Sequence, residues 1–74
     1  MWMDERELSE AMYKKCLEND QKEFWPLITD DEWCYYYCMF VKDREEVRKY
    51  ITDSVWSCYY CLNIKDRPEI RKNY

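Results

Sequence analysis

The chain has 74 residues and a mass of 9.5 kDa, about half the length of one ordinary domain, which excludes a two-domain enzyme. It contains no histidine, which is the commonest general base and metal ligand. It also contains no glycine, which excludes glycine-rich phosphate-binding loops. The net charge of −4 disfavours direct nucleic-acid binding, since such domains are usually basic. With 19% aromatic residues the chain should fold. We therefore expect a folded, non-enzymatic protein without a cofactor.

The first predicted helix begins at Asp4, where Asp-Glu-Arg-Glu is typical of a capped N-terminus, and runs to about Asn19. A second, short helix is predicted to begin at Asp20 and to end at Pro26. At Thr29, the order Thr-Asp-Asp-Glu has the form of a capping box. The apolar residues that follow have helical spacing: Trp33, Tyr36, Tyr37, Phe40 and Val41. A third helix is therefore predicted from Thr29.

The rest of the chain repeats itself with a period of 23 residues. Residues 28–50 read ITDDEWCYYYCMFVKDREEVRKY and residues 51–73 read ITDSVWSCYYCLNIKDRPEIRKN, with 13 identical positions and no gap. Self-similarity at a fixed short period is typical of stacked supersecondary units. We predict one domain over residues 1–74, composed of a degenerate repeat 4–27, a repeat 28–50 and a repeat 51–74.

Each repeat is predicted to contain two helices. The longer helix of the last repeat should begin at Thr52, and the shorter second helices should begin at Asp43 and Asp66. The longer helices carry apolar residues on opposite sides, so each needs neighbours on both. The expected fold is all-α, with about six short helices in three helix-turn-helix repeats stacked as a small solenoid or a compact bundle.

The segments WCYYYC…VKDREEVRKYI and WSCYYC…IKDRPEIRKNY resemble short Trp/Tyr helical repeats with a KDR turn in uncharacterised phage and bacterial proteins. The resemblance covers residues 28–74 and carries no catalytic residue. Where those repeats commonly have alanine, this chain has Cys34, Cys38 and Cys61, which indicates slots for small core side chains. By class, the chain is similar to small phage anti-defence proteins, anti-CRISPR proteins included.

The cysteines offer two pairs, Cys34 with Cys38 and Cys58 with Cys61, whose spacing suggests a zinc site. Both pairs lie within predicted helices, and stacked helices are about 8–10 Å apart, which is too far for two ligands of one ion unless the side chains converge. Because free cysteine is among the most buried residue types, we predict core thiols and no metal ligands.

The location of the protein is expected to be the cytoplasm, of a bacterial host cell if a phage encodes it. The number of cysteines is odd, and free thiols are typical of a reducing compartment. The charged N-terminus does not have the pattern of a signal peptide, and no stretch is apolar enough to span a membrane.

Two charged sets are candidate partner-binding residues. The basic set recurs at equal positions in the two clear repeats and is expected to form an exposed ladder: Arg44, Arg48, Arg67 and Arg71. Arginine binds carboxylates and phosphates through two parallel hydrogen bonds. The acidic set is Asp30, Asp31 and Glu32, which either complements a helix N-terminus or imitates nucleic-acid phosphates.

The function expected from these features is to bind and block a protein or ribonucleoprotein partner. The resemblance and the small size favour a phage or mobile-element inhibitor of a host defence system such as CRISPR–Cas, with a Cas effector as a candidate partner. A helical-repeat adaptor or scaffold is the alternative. A zinc-binding regulator that uses the cysteines is a third hypothesis.

Overall fold

The computed structural model describes residues 3–74, and all regular structure in this part of the chain is helical. The elements in order are α1 (Glu5–Glu18), a 3₁₀ helix (Lys22–Leu27), α2 (Asp31–Phe40), α3 (Glu45–Arg48), α4 (Ser54–Asn63) and α5 (Pro68–Arg71). The prediction of an all-α protein with six short helices is confirmed.

The helix bounds follow the period of the sequence. Helices α2 and α4 have 10 residues each and begin at Asp31 and Ser54, 23 residues apart. Helices α3 and α5 have 4 residues each, and the 3₁₀ helix begins at Lys22, 23 residues before α3. The first repeat differs most, since α1 has 14 residues. The Cα positions extend over 36 × 23 × 15 Å, and the solenoid arrangement stays a prediction.

The helices that start each clear repeat are capped one residue later than predicted. Asp30 caps α2 and accepts a hydrogen bond from the Trp33 amide at 3.3 Å, and Asp53 caps α4. The predicted caps Thr29 and Thr52 are therefore wrong. At Thr29 the amide donates to Ser9 Oγ of α1 at 3.0 Å, which holds the backbone in the connection before the helix.

The short helices also depart from prediction at their ends. Arg44 and Arg67, instead of Asp43 and Asp66, are the N-caps of α3 and α5, and neither makes a side-chain capping hydrogen bond. In the first repeat the short helix is a 3₁₀ helix. It continues to Leu27, one residue beyond the predicted end, so that Pro26 lies inside it. The aspartates before these helices have other partners, described below.

The core forms where the long helices contact one another and the short helices. Helix α2 contacts both α1 and α4, and the short helix of each repeat contacts the long helix of the same repeat. The fully buried side chains are Tyr37, Tyr60, Ile28, Ile51, Val47, Cys34, Ser9 and Ser57. Ile28 and Ile51 occupy the same position in successive repeats, so the core is built from repeated contacts.

We expect Ile51→Ala to lower the free energy of unfolding by about 2–5 kcal/mol, because it empties a fully buried site. The matched control Leu62→Ala removes an apolar side chain that is 73% exposed and should cost less than about 0.5 kcal/mol. Urea unfolding followed by far-UV circular dichroism measures both. Equal destabilisation by the two variants would contradict this core.

Candidate interaction surface

Asp43 joins two successive repeats. Its carboxylate accepts hydrogen bonds from the Tyr60 hydroxyl at 2.6 Å and from Arg67 Nη2 at 2.8 Å. Arg67 Nε also donates to the Tyr60 oxygen at 2.7 Å. Arg48, from the same repeat as the aspartate, donates to the carboxylate at 3.3 Å. These four side chains, which we call the Asp43 cluster, connect the turn of one repeat to both helices of the next.

Asp20 forms the same arrangement one repeat earlier. It accepts from the Tyr37 hydroxyl at 2.7 Å and from Arg44 Nη2 at 2.9 Å. Its third donor is Trp25 Nε1 at 2.8 Å, and Trp25 occupies the position that Arg48 holds in the next repeat. The Arg44 guanidinium also lies 4.1 Å from the centre of the Trp25 ring, a favourable cation–π distance. We call these side chains the Asp20 cluster.

The hydrogen bonds fix the charge states in both clusters. Burial alone raises the pKa of the Asp43 carboxyl, but the bonds from Tyr60 and Arg67 outweigh burial and hold the pKa below its usual value. The same balance, with Trp25 and Tyr37 as the first donors, lowers the pKa of Asp20. Burial and then the adjacent carboxylates raise the pKa of both tyrosine hydroxyls. The tyrosines therefore stay protonated and donate.

The predicted exposed ladder of arginines is wrong at three of its four positions. The side chains of Arg44, Arg48 and Arg67 are only 24%, 14% and 22% exposed, because carboxylates of this chain bind them within the two clusters. Arg71 differs, since its side chain is 55% exposed and pairs with Asp66 at 3.2 Å. Their repetition in the sequence thus has an internal structural reason.

The acidic set lies together around the N-terminus of α2, and each member has a partner within the chain. Arg6 forms ion pairs with Asp30, at 3.5 Å, and with Glu32. Asp31 accepts a hydrogen bond from the Asp53 amide at 2.8 Å. Burial raises the pKa of Asp31 above its usual value. The structure therefore assigns these carboxylates to capping and to the junction between repeats.

The cysteines differ in burial. Cys34 is fully buried and its thiol donates to the Ile28 carbonyl at 3.1 Å. Burial raises the pKa of the Cys38 thiol to about 12, and it raises that of Cys34 as well. Cys58 and Cys61 are half-buried. Within residues 3–74 no group of three or more cysteine and carboxylate side chains is placed to hold a metal ion.

Helix α4 presents an apolar stripe to solvent. Val55, Tyr59 and Leu62 are 53%, 44% and 73% exposed, and their spacing places them on one side of the helix. Cys58 lies on the same side. The opposite side of the helix is buried, with Tyr60 and Ser57 fully enclosed.

Part of the same side of α2 is covered by α4. One repeat earlier, the positions of Cys58 and Tyr59 are held by Tyr35 and Tyr36. Tyr35 is buried, with ring centres 5.4 Å from Trp56 and 6.3 Å from Tyr59. Tyr36 lies 6.0 Å from Trp56. The equivalent positions on α4 are held by Cys58, which is half-buried, and by Tyr59, which contacts Tyr35 and is 44% exposed.

Asp66 is open in the same way. It holds the position of Asp20 and Asp43, and Arg71 pairs with it as Arg48 pairs with Asp43. Its side chain is 61% exposed, against 21% for Asp43, and among residues 3–74 no tyrosine donates a hydrogen bond to it. We call the stripe Val55, Cys58, Tyr59 and Leu62, together with Asp66, the end face.

The sequence alone showed the apolar residues on two sides of α4, but the prediction that both sides have neighbours is wrong for α4 within residues 3–74, where Val55, Tyr59 and Leu62 are exposed. It did not point to Asp66, which sequence reasoning assigned to a helix cap. The missing signal was the recurrence of Asp, Tyr and Arg at fixed separations across repeats.

These observations define a small all-α protein with internally paired charges and an exposed apolar end. No family model matches the chain, and comparisons with curated proteins and with solved structures give no match. None of the helices in the described part of the chain is long and apolar enough to cross a membrane.

We expect Asp43→Asn to lower the free energy of unfolding by about 1–3 kcal/mol at neutral pH, because it removes the charged acceptor of three donors. Since the pKa of Asp43 is lowered in the folded protein, its contribution is present above about pH 4 and is lost as the pH falls through the folded value. The midpoint temperature of thermal unfolding, measured from neutral pH into the acid range, should thus change less with pH in the variant than in the wild type.

The pKa of Asp31 is raised in the folded protein, so its effect on stability changes with pH in the opposite direction. The variant minus wild-type difference therefore isolates Asp43. A difference that stays constant over the acid range would contradict the charged cluster.

Thiol labelling of the native protein should separate the cysteines into two groups. We expect Cys58 and Cys61 to react first, because they are half-buried, and Cys16, Cys34 and Cys38 to react only on unfolding, because they are buried. Iodoacetamide labelling followed by peptide mass spectrometry measures the order. Early labelling of Cys34 would show that α2 is not packed as described.

Proposed function

We propose that this protein acts by binding another protein through its end face, without catalysing a reaction. The single observation that supports the proposal is the exposed stripe of Val55, Tyr59 and Leu62 on α4. Apolar side chains grouped on one surface, next to charged residues, are typical of protein-binding sites. Aromatic residues are common among the residues that contribute most to binding.

Fewer charged side chains are free to bind a partner than the sequence suggested. Arg44, Arg48 and Arg67 already bind carboxylates of this chain. A partner would have to break those bonds, and with them the contacts between repeats. Binding at the end face displaces only water, so it carries no such cost.

The narrower proposal is that the bound partner belongs to a host defence system and that this protein blocks it. The partner would be a protein or ribonucleoprotein, such as a Cas effector, and the protein would come from a phage or a mobile element. The small size and the resemblance to phage repeats support this reading. An adaptor that joins two proteins without inhibition is the second candidate, since stacked repeats commonly serve as binding scaffolds.

We expect Leu62→Asp to weaken partner binding by about 10-fold or more, because it places a charge at the most exposed residue of the apolar stripe. The matched control is Leu17→Asp on α1, where the leucine is 50% exposed but lies outside the end face. Affinity capture with wild type and both variants, from bacterial cells that carry nuclease-based defence systems, followed by quantitative mass spectrometry, measures the difference.

The proposal requires proteins that wild type and Leu17→Asp retain and that Leu62→Asp loses. Retention by the wild type and by both variants would show that the end face is not the binding surface. Phage infection of the same cells then separates the two candidates, since an inhibitor protects the phage from the defence system and an adaptor does not.

A further inference from the structure

We propose that the partner presents to the end face a helix and turn that carry tyrosine and arginine seven residues apart, as a further unit of this repeat would. This inference deepens the proposed function and rests on it. It follows from how the chain joins its own repeats.

Each aspartate of the turn has two kinds of donor. One comes from its own repeat, which is Trp25 for Asp20 and Arg48 for Asp43. The other two come from the next repeat, at fixed separations in the sequence. The pairs are Tyr37 with Arg44 for Asp20, and Tyr60 with Arg67 for Asp43.

Asp66 has the first kind of donor, since Arg71 of its own repeat pairs with it at 3.2 Å. In the described part of the chain no tyrosine and no second arginine pairs with Asp66, whose side chain is 61% exposed. A carboxylate forms its strongest hydrogen bonds with charged and bidentate donors. Charge complementarity therefore selects a partner with an arginine at this position.

The tyrosine and the arginine act as one unit. Arg44 Nε donates to the Tyr37 oxygen at 2.9 Å, and Arg67 Nε donates to the Tyr60 oxygen at 2.7 Å. In both units the tyrosine lies in the long helix and the arginine is the N-cap of the short helix that follows. The spacing of seven residues spans this turn.

The apolar part of the end face indicates a third feature of the partner. Trp56 of α4 packs against Tyr35 and Tyr36 of α2 at 5.4 and 6.0 Å, and it lies four residues before Tyr60. An aromatic residue at the same place in the partner would cover Cys58 and Tyr59, which hold the positions of Tyr35 and Tyr36. The full pattern is therefore aromatic-x3-Tyr-x6-Arg.

A second copy of this chain does not offer that pattern on its surface. Tyr37 and Tyr60 are fully buried, and Arg44 and Arg67 are bound within the Asp20 and Asp43 clusters. A copy would have to open its own junctions to donate them. We therefore propose a partner other than a second copy of residues 1–74.

The probe is a synthetic peptide of residues 51–74 whose helix is fixed by a hydrocarbon link between positions 58 and 62, on the side away from Tyr60. Circular dichroism first establishes that the peptide is helical. Fluorescence anisotropy then measures its binding to the full chain. The comparisons are wild-type protein, Asp66→Asn and the control Glu69→Gln, which removes the same charge from a neighbouring exposed position.

We expect the helical peptide to bind wild type and Glu69→Gln alike. Asp66→Asn in the protein, or Arg67→Gln in the peptide, should weaken binding by about 10-fold, because each removes one half of a charged hydrogen-bonded pair. No saturable binding by a helical peptide, or equal binding by Asp66→Asn, would overturn the inference.

Two further outcomes separate this inference from the proposed function. If captured proteins are lost with Leu62→Asp but all are kept with Asp66→Asn, the inference fails and the proposed function stands. If Leu62→Asp keeps them, the proposed function fails. A wild-type dimer in analytical ultracentrifugation that Asp66→Asn dissociates would show that the occupant is a second copy, against this assignment.

Discussion

The hydrogen bonding of Asp20 and Asp43 to a tyrosine and an arginine of the next repeat holds the repeats together. The short helices α3 and α5 have 4 residues each, far below the length at which a helix is stable alone. They depend on contacts with the long helices, and the arginines that begin them are fixed by the aspartates. A carboxylate of the preceding repeat therefore helps to position the second and the third repeat.

Much of the fold could be predicted from the sequence because it depends on periodicity. The 23-residue repeat, the apolar spacing after Thr29 and the acidic first turn of α1 gave the number, type and order of the helices. Helix starts were less predictable. Asp, Ser and Thr are all good N-caps, so a run such as Thr29, Asp30 and Asp31 does not show which residue caps, and the choice depends on a distant partner, Ser9.

The candidate site could be predicted only in part, because identical residues of successive repeats have different surroundings in the folded protein. Arg48 and Arg71 share a sequence position, yet one lies in the Asp43 cluster and the other is exposed. Tyr36 and Tyr59 differ in the same way. What separates them is the presence of a following repeat, which is a property of the arrangement in space. Repetition of a charged residue is thus as consistent with an internal junction as with a binding surface.

Because Asp20 and Asp43 each bind side chains of two repeats, the unfolding of one repeat affects the next. When one repeat unfolds, the carboxylate beside it loses a tyrosine and an arginine together, and the neighbour is weakened at the same moment. Local unfolding should therefore begin in the last helices and continue toward α1. Amide hydrogen exchange should then be fastest in α5 and slowest around Tyr37. A ligand on the end face would hold α4 and α5 in place and would therefore slow hydrogen exchange in the other repeats as well.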